Sequence, residues 1–201
     1  MTFRKRASQI GESRSAKRFL NMPFTPRPLP TSIQQLCERL DADSRLVAHL
    51  RLVHDVAVEI VDGLRLRFPS LEVEQEAVFF GAGSHDLGKV FHPEELSGPG
   101  HRHELAGEQL MVENCFPPDL ARFCRTHGAW SQKSLPLEDL LVALADTTWK
   151  GQRLEELEMQ IVKQIVEKTD LEPWLVFQEL DELLTEIASG GDERLAWQAR
   201  F

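Results

Sequence analysis

The segment LVAHLRLVHDVAVEIVDGLRL, residues 46–66, decides the fold class of the chain. Its apolar side chains recur every three or four residues, which places them on one face of an α-helix. The positions that follow this spacing are Leu46, Leu50, Val53, Ala57, Ile60 and Leu64. We therefore predict a long helix here, with this face against a protein core.

Helical patterns continue on both sides of this segment. A short helix is predicted before it, with Thr31 or Ser32 as its cap, and residues 41–44 end that helix and cap the long one. Further helices are predicted at about 72–81, 104–113, 118–126, 137–149 and 154–168, with one or two more from Pro173 to the C-terminus. Alternating strand patterns are essentially absent, so the sequence predicts an all-α fold.

Composition and charge divide the chain into two parts. The 201 residues are 42% hydrophobic and 27% charged, which suits one domain with a sizeable core. Residues 1–30 contain seven Lys and Arg, one Glu and several prolines, so we predict a basic tail there and a helical domain over residues 31–201. The net charge is −9 overall and +6 in the tail, which leaves −15 on the other 171 residues. This acidic body argues against extended nucleic acid as a partner.

The sequence gives no sign of a membrane partner or of secretion. It contains no run of about 18 apolar residues, and its N-terminal region lacks the apolar core of a signal peptide. Cys37, Cys115 and Cys124 lack the CxxC spacing of a zinc site and are interpreted as reduced thiols. We expect a cytoplasmic protein.

The segment that carries chemistry is Gly83-Ser84-His85-Asp86-Leu87-Gly88-Lys89, at the end of a predicted apolar helix. His85 and Asp86 can offer a nitrogen and an oxygen to one metal ion, a mixed set that suits Mn, Fe, Co, Ni, Zn or Mg. Gly88 lets the chain turn at once, and Lys89 places a cation where a phosphate can bind. The segment predicts a metal site that handles phosphate.

Together with later residues, this segment resembles the HD-domain superfamily of metal-dependent phosphohydrolases, whose ligands follow the order H…HD…D. Residues 85–89 match the family's HD-x-GK segment, and Asp146, within the apolar helix predicted at 137–149, matches the last ligand. A carboxylate in such an apolar run needs a partner, because its unpaired burial is costly. The resemblance covers residues 45–151 and implies a helical bundle, here with additional C-terminal helices.

Two histidines compete for the first ligand position. The spacing after His49 is similar to the family's H-xxx-V-xxx-A-xx-LA helix. The spacing after His54 would instead put Asp62 and Arg65 at positions that the family fills with apolar residues. We expect His49 to be the ligand and keep His54 as the alternative.

Two further histidines extend the resemblance to the binuclear members of the family. Residues 103–110, which begin with His103, resemble the family's H-xxx-G-xx-L helix start, and His127 resembles the histidine that ends the next helix. The chain thereby reproduces the order H-HD-H-H-D, with His101 as a competitor for His103. The resemblance implies one or two divalent metal ions as cofactors.

The activity implied by the resemblance is hydrolysis of a phosphomonoester or phosphodiester, of a nucleotide or another small molecule, by a metal-activated hydroxide. Asp86 is the expected bridging ligand, because a carboxylate has two oxygens to share. Lys89 is expected to neutralise transition-state charge, a task that Arg102 or Arg125 could share.

The sequence narrows the activity but leaves alternatives open. The GYP motif of the superfamily's cyclic-di-GMP phosphodiesterases is absent, which argues against that activity. A catalytically silent regulatory module that binds metal and nucleotide, or a di-iron oxygenase, would use the same ligands. The substrate and the oligomeric state are not determined.

Overall fold

The computed structural model describes residues 24–131 and 134–201, and the regular structure of these residues is entirely helical. The predicted all-α fold is confirmed. The α-helices of the described residues are α1 (Thr31–Arg39), α2 (Ser44–Arg67), α3 (Gln75–Ser84), α4 (Arg102–Glu113), α5 (Pro118–Ala121), α6 (Phe123–Thr126), α7 (Leu137–Thr148), α8 (Glu155–Thr169), α9 (Pro173–Ser189) and α10 (Gly191–Gln198). Two 3-10 turns, Leu87–Val90 and Pro93–Leu96, lie between α3 and α4.

The helix ends differ from the predicted ones where capping or packing overrides the local pattern. Asp43 caps α2 by accepting a hydrogen bond from the backbone N–H of Arg45 at 2.8 Å. The predicted cap of α1 by Thr31 or Ser32 is wrong, because Pro30 occupies the cap position and no side chain caps this helix. The helix predicted over residues 118–126 is observed as the short helices α5 and α6.

Helix α3 begins later than predicted and continues past residue 81, its predicted end, through Ala82, Gly83 and Ser84. A Cβ atom at Gly81 would lie 2.6 Å from the ring of Phe123, so the absence of a side chain allows α6 to approach closely. The glycine serves helix packing here, and α3 reaches directly to His85.

Helix α2 is the central element of the bundle. All six of its predicted core positions are at most 1% exposed, and so are Leu52, Val56 and Val61, which lie outside that stripe. A larger hydrophobic cluster surrounds α2 with α3, α7, α8 and α9, and a smaller one joins its first turns to α1 and α4. The helix is therefore buried around more of its circumference than a one-faced pattern predicts.

The two ends of the described chain meet beside α2. Residues 24–30 run along the bundle, where Arg27 pairs with the buried Asp55 at 2.6 Å and the ring of Phe24 meets that of Trp197 edge-on. Residues 1–23, which make up most of the predicted basic tail, lie outside the described residues, and the domain boundary stays a prediction.

The predictions about membrane spans and about the cysteines can be compared with the described residues. None of their helices has the length and apolarity needed to span a membrane. The three cysteines are free, with Cys37 and Cys124 buried and Cys115 exposed.

Candidate metal centre

Six side chains that the sequence analysis selected come together at one end of the bundle. Each lies near one end of a helix, and the helices are arranged so that these ends meet at the same end of the bundle. His49 is in the second turn of α2, His85 and Asp86 follow α3, His103 is in the first turn of α4, His127 follows α6, and Asp146 is in the last turn of α7. His85, Asp86 and His103 are buried, and the other three are half-buried.

The first cluster consists of His49, His85, Asp86 and Asp146. Nε2 of His49 lies 3.3 Å from Nε2 of His85 and 3.1 Å from Oδ2 of Asp86. Oδ1 of Asp146 lies 3.3 Å from Nε2 of His49 and 3.5 Å from Nε2 of His85. Ligand atoms that are each about 2.1 Å from one ion lie roughly 3–3.5 Å apart, so the cluster is spaced to hold a cation.

The second cluster consists of Asp86, His103 and His127. Oδ1 of Asp86 lies 3.1 Å from Nε2 of His103 and 3.7 Å from Nε2 of His127. Its other oxygen, Oδ2, faces His49 in the first cluster. Asp86 thus divides its two oxygens between the clusters, as a carboxylate that bridges two cations would.

The rings of His85 and His127 are held through their Nδ1 atoms. Nδ1 of His85 lies 3.0 Å from the carbonyl oxygen of Ala82, and Nδ1 of His127 lies 3.2 Å from that of Phe123. A carbonyl can only accept, so each Nδ1 carries the hydrogen, and Nε2 of the neutral ring keeps its lone pair. These lone pairs belong to the atoms that form the clusters, as metal ligation requires.

Glu95 holds the ring of His103 in the same way. Its Oε2 accepts hydrogen bonds from Nδ1 of His103 at 2.6 Å and from the backbone N–H of that residue at 3.2 Å. Burial would raise the pKa of Glu95, but the hydrogen bonds from His103 lower the pKa to about 2. Sequence reasoning missed Glu95, since residues 90–101 match no motif, and the acidic pair Glu94-Glu95, in the loop before His103, is the signal that points to it.

Nε2 of His103 is a buried nitrogen whose surroundings show whether the site suits a metal ion. This atom is buried and has no hydrogen-bond partner within residues 24–131 and 134–201, although Oδ1 of Asp86 lies 3.1 Å away. A buried nitrogen without a partner is costly, and such an atom calls for an explanation. A cation between His103, His127 and Asp86 would satisfy it, so the residues present fit a metal ion.

The carboxylates of the site favour positive charge. Burial would raise the pKa of Asp86, but the histidines around it, His85 first, hold it well below its usual range. The pKa of Asp146 is lowered well below its usual range, because His49 and His85 outweigh its burial. Burial would lower the pKa of His49, but Asp146 and Asp86 raise it to about 9. A metal ion at the first cluster would therefore compete with a proton on His49.

Lys89 lies against the first cluster, and the other predicted cations do not. Nζ of Lys89 is 2.5 Å from Oδ2 of Asp86. Arg102 pairs with Glu94, and Nε of Arg125 lies 3.3 Å from Glu108.

The competing histidines lie outside both clusters. The ring of His54 is buried edge-on against Phe79. The side chain of His101 is 85% exposed, and its Nδ1 lies 2.7 Å from Glu104. The structure thus brings His49 and His103 to the clusters, while the assignment of metal ligands stays a prediction.

Two cavities open onto the clusters, and His49, Asp86, Lys89 and Trp149 line both. The first, of about 310 Å³, also contains His103, His127, Trp130, Asp146, Thr147 and Lys150. The second, of about 190 Å³, also contains Arg45, Leu46, Leu96 and Gln198. A larger cavity of about 700 Å³, between residues 134–136 and α8, contains none of the six clustered side chains.

Comparison with known proteins adds a match by family. The sequence model of the family described as HD domain matches residues 33–148, which is more than half of the chain and includes all six clustered side chains. No curated protein and no solved structure matches the chain.

Proposed function

The chain belongs to the HD-domain family, and from this premise we propose that it is a metal-dependent phosphohydrolase that cleaves a small phosphomonoester or phosphodiester. Membership places it in a superfamily of metal-dependent phosphohydrolases. The observation that carries the proposal is that the two carboxylate oxygens of Asp86 face different clusters. Oδ2 faces His49 of the first cluster, and Oδ1 faces His103 of the second. This arrangement suits two metal ions held side by side.

We assign one ion to the first cluster and one to the second. The Nδ1 contacts of His85 and His127, which leave Nε2 of each ring facing the clusters, and the unpartnered Nε2 of His103 support this assignment. Bound divalent ions would polarise a phosphoryl group and lower the pKa of a water molecule toward ~7–9.

The surrounding side chains have separate tasks in the proposed reaction. Lys89, beside Oδ2 of Asp86, neutralises negative charge that develops on the phosphoryl group. Glu95 keeps Nδ1 of His103 protonated and fixes the direction of the ring. Burial of His85 and Asp86 limits competition by bulk water for the ligand atoms.

The shape of the site favours a small substrate. The main cavity, about 310 Å³, is at the lower end of the range for small-molecule sites. We therefore propose a phosphorylated small molecule, such as a nucleotide, as the partner of this site.

The test is hydrolysis combined with metal analysis. The purified protein is assayed for metal content and against p-nitrophenyl phosphate, bis-p-nitrophenyl phosphate and a nucleotide panel, before and after chelation and metal return. Asp86→Ala is expected to lose metal and to lower turnover by about a hundredfold or more, since loss of a residue that merely supports a ligand already costs 10–100-fold. The circular-dichroism spectrum of this variant should remain that of a helical protein.

Asp62→Ala, which removes an exposed carboxylate of α2, is the control and should keep its metal content and its turnover. A wild-type protein that holds metal but hydrolyses none of the compounds would contradict the proposal. Iron content together with oxygen consumption would support an oxygenase instead.

A further inference from the structure

The smaller cavity beside the clusters is lined by hydrogen-bond donors and cations. Its lining includes the guanidinium of Arg45, the ammonium of Lys89 and the amide of Gln198, together with the indole of Trp149. Its one carboxylate is that of Asp86, whose oxygens already face Lys89 and the histidines. The chemistry of this lining suits an anion.

Arg45 is the clearest sign of an absent anionic partner. It lies one helical turn before His49 in α2, which directs both side chains to one face of the helix. Its side chain is exposed and makes no ion pair or hydrogen bond in the part of the chain that the structure describes. The nearby carboxylate of Asp43 accepts from the backbone N–H of Arg45 and forms no ion pair with its guanidinium.

Gln198 completes the lining with a further donor, and Trp149 contributes the apolar part of its ring, since its indole Nε1 is fully buried. Gln198 comes from α10, beyond the residues 33–148 that match the family. This part of the cavity is therefore specific to the C-terminal helices of this chain.

The size of the cavity limits what it can hold. A water molecule has a share of about 30 Å³ in the liquid, so a cavity of about 190 Å³ has room for roughly six. That volume accommodates one phosphate group. Arg45 supplies the positive charge for such a group, since Lys89 already pairs with Asp86.

We propose that this cavity binds a second phosphate of the substrate, so that preferred substrates carry two adjacent phosphates, as in a nucleoside diphosphate or inorganic pyrophosphate. The proposal rests on the proposed function, because it places the first phosphate at the two clusters. Arg45 then acts as a specificity residue, with its planar fork on the second phosphate. A compound with one phosphate leaves Arg45 unused.

The test is calorimetric binding of inorganic pyrophosphate and of orthophosphate to the metal-containing protein at fixed free metal. We expect pyrophosphate to bind at least about tenfold more tightly than orthophosphate, and Arg45→Gln to weaken pyrophosphate by about tenfold or more. Orthophosphate affinity should stay within about twofold. Arg65→Gln, at the far end of the same helix and also exposed, is the matched control and should leave both affinities unchanged.

A second variant and a second readout separate this inference from the proposed function. Gln198→Ala should weaken pyrophosphate selectively, and kcat/KM is measured for pyrophosphate and p-nitrophenyl phosphate in every variant. If p-nitrophenyl phosphate is hydrolysed but Arg45→Gln binds pyrophosphate as tightly as the wild type does, this inference fails while the proposed function stands. If pyrophosphate binding depends on Arg45 but nothing is hydrolysed, the second-phosphate cavity stands and the proposed function fails. Tighter Arg45-dependent binding of phosphoglycolate than of pyrophosphate would assign the cavity to a carboxylate and overturn the diphosphate proposal.

Discussion

At the scale of single residues, the identity of the clustered side chains could be predicted from the sequence, but their directions could not. The motif around His85 and Asp86 names the residues, yet only the fold decides that the two oxygens of Asp86 face different histidines. Glu95 could not be identified, because its contact with His103 spans a loop without periodicity. Hydrogen bonds of this kind depend on loop conformation, which local patterns do not encode.

The second His-Asp pair of the chain, residues 54–55, leads to a prediction about pH and stability. His54 is 7% exposed, and its Nδ1 has no hydrogen-bond partner among the described residues. Burial lowers its pKa from 6.5 to about 4. The unfolded chain therefore binds a proton below about pH 6.5 that the folded protein refuses until about pH 4. The free energy of unfolding should fall across this window as the pH drops, by up to about 3 kcal/mol.

Urea unfolding of chelator-treated protein at pH 7.5 and 4.5 checks this prediction. His54→Phe keeps a ring against Phe79 but cannot titrate, so its free energy of unfolding should fall less than that of the wild type. Protonation of the metal-site histidines affects both proteins and cancels in the comparison. Equal losses in the two proteins would show that His54 does not contribute.

At the scale of elements, the sequence predicts where most helices lie but not how closely they approach. Gly88 was expected to let the chain turn, and it lies in the 3-10 turn Leu87–Val90, although among the described glycines only Gly151 has a positive φ. A Cβ atom at Gly88 would instead lie 1.9 Å from the carbonyl oxygen of His103 and 2.5 Å from the backbone nitrogen of Gly107. The 3-10 turn after Asp86 therefore packs backbone to backbone on α4, a long-range contact that helical periodicity does not reveal.

This contact predicts that Gly88→Ala disturbs the second cluster more than the first. The added methyl group must push α4 away, which carries His103 away from Asp86 and costs about 1–3 kcal/mol of stability. We expect a lower melting temperature and the loss of one bound metal ion per chain, measured by calorimetry and by elemental analysis.

Gly98→Ala is the control for this prediction. It lies in the same loop, and its Cβ atom would have one contact, 3.1 Å from the carbonyl oxygen of Glu94. The Gly98→Ala variant should keep nearly the same melting temperature and metal content as the wild type. Full metal content in Gly88→Ala would contradict the proposed role of the contact.

At the scale of the whole molecule, helix α10 lines the smaller cavity beside the clusters although the family match ends at residue 148. Arg194 of α10 is buried, donates to the carbonyl oxygen of Ile187 at 2.8 Å and pairs with Glu59 of α2 at 3.1 Å. This anchor keeps α10 where Gln198 can line the smaller cavity. The sequence predicts these helices from their apolar spacing, but their docking on α2 depends on contacts between residues about 135 positions apart.

The measurement that tests the two-metal centre most directly is metal stoichiometry, by titration and by anomalous scattering from crystals. The wild type should bind two divalent ions per chain, and His103→Ala combined with His127→Ala should leave one, because the first cluster keeps its four side chains. His101→Ala, which removes an exposed histidine two residues from His103, should still bind two. Saturation of the wild type at one ion, unchanged by the double substitution, would contradict a second site shared through Asp86.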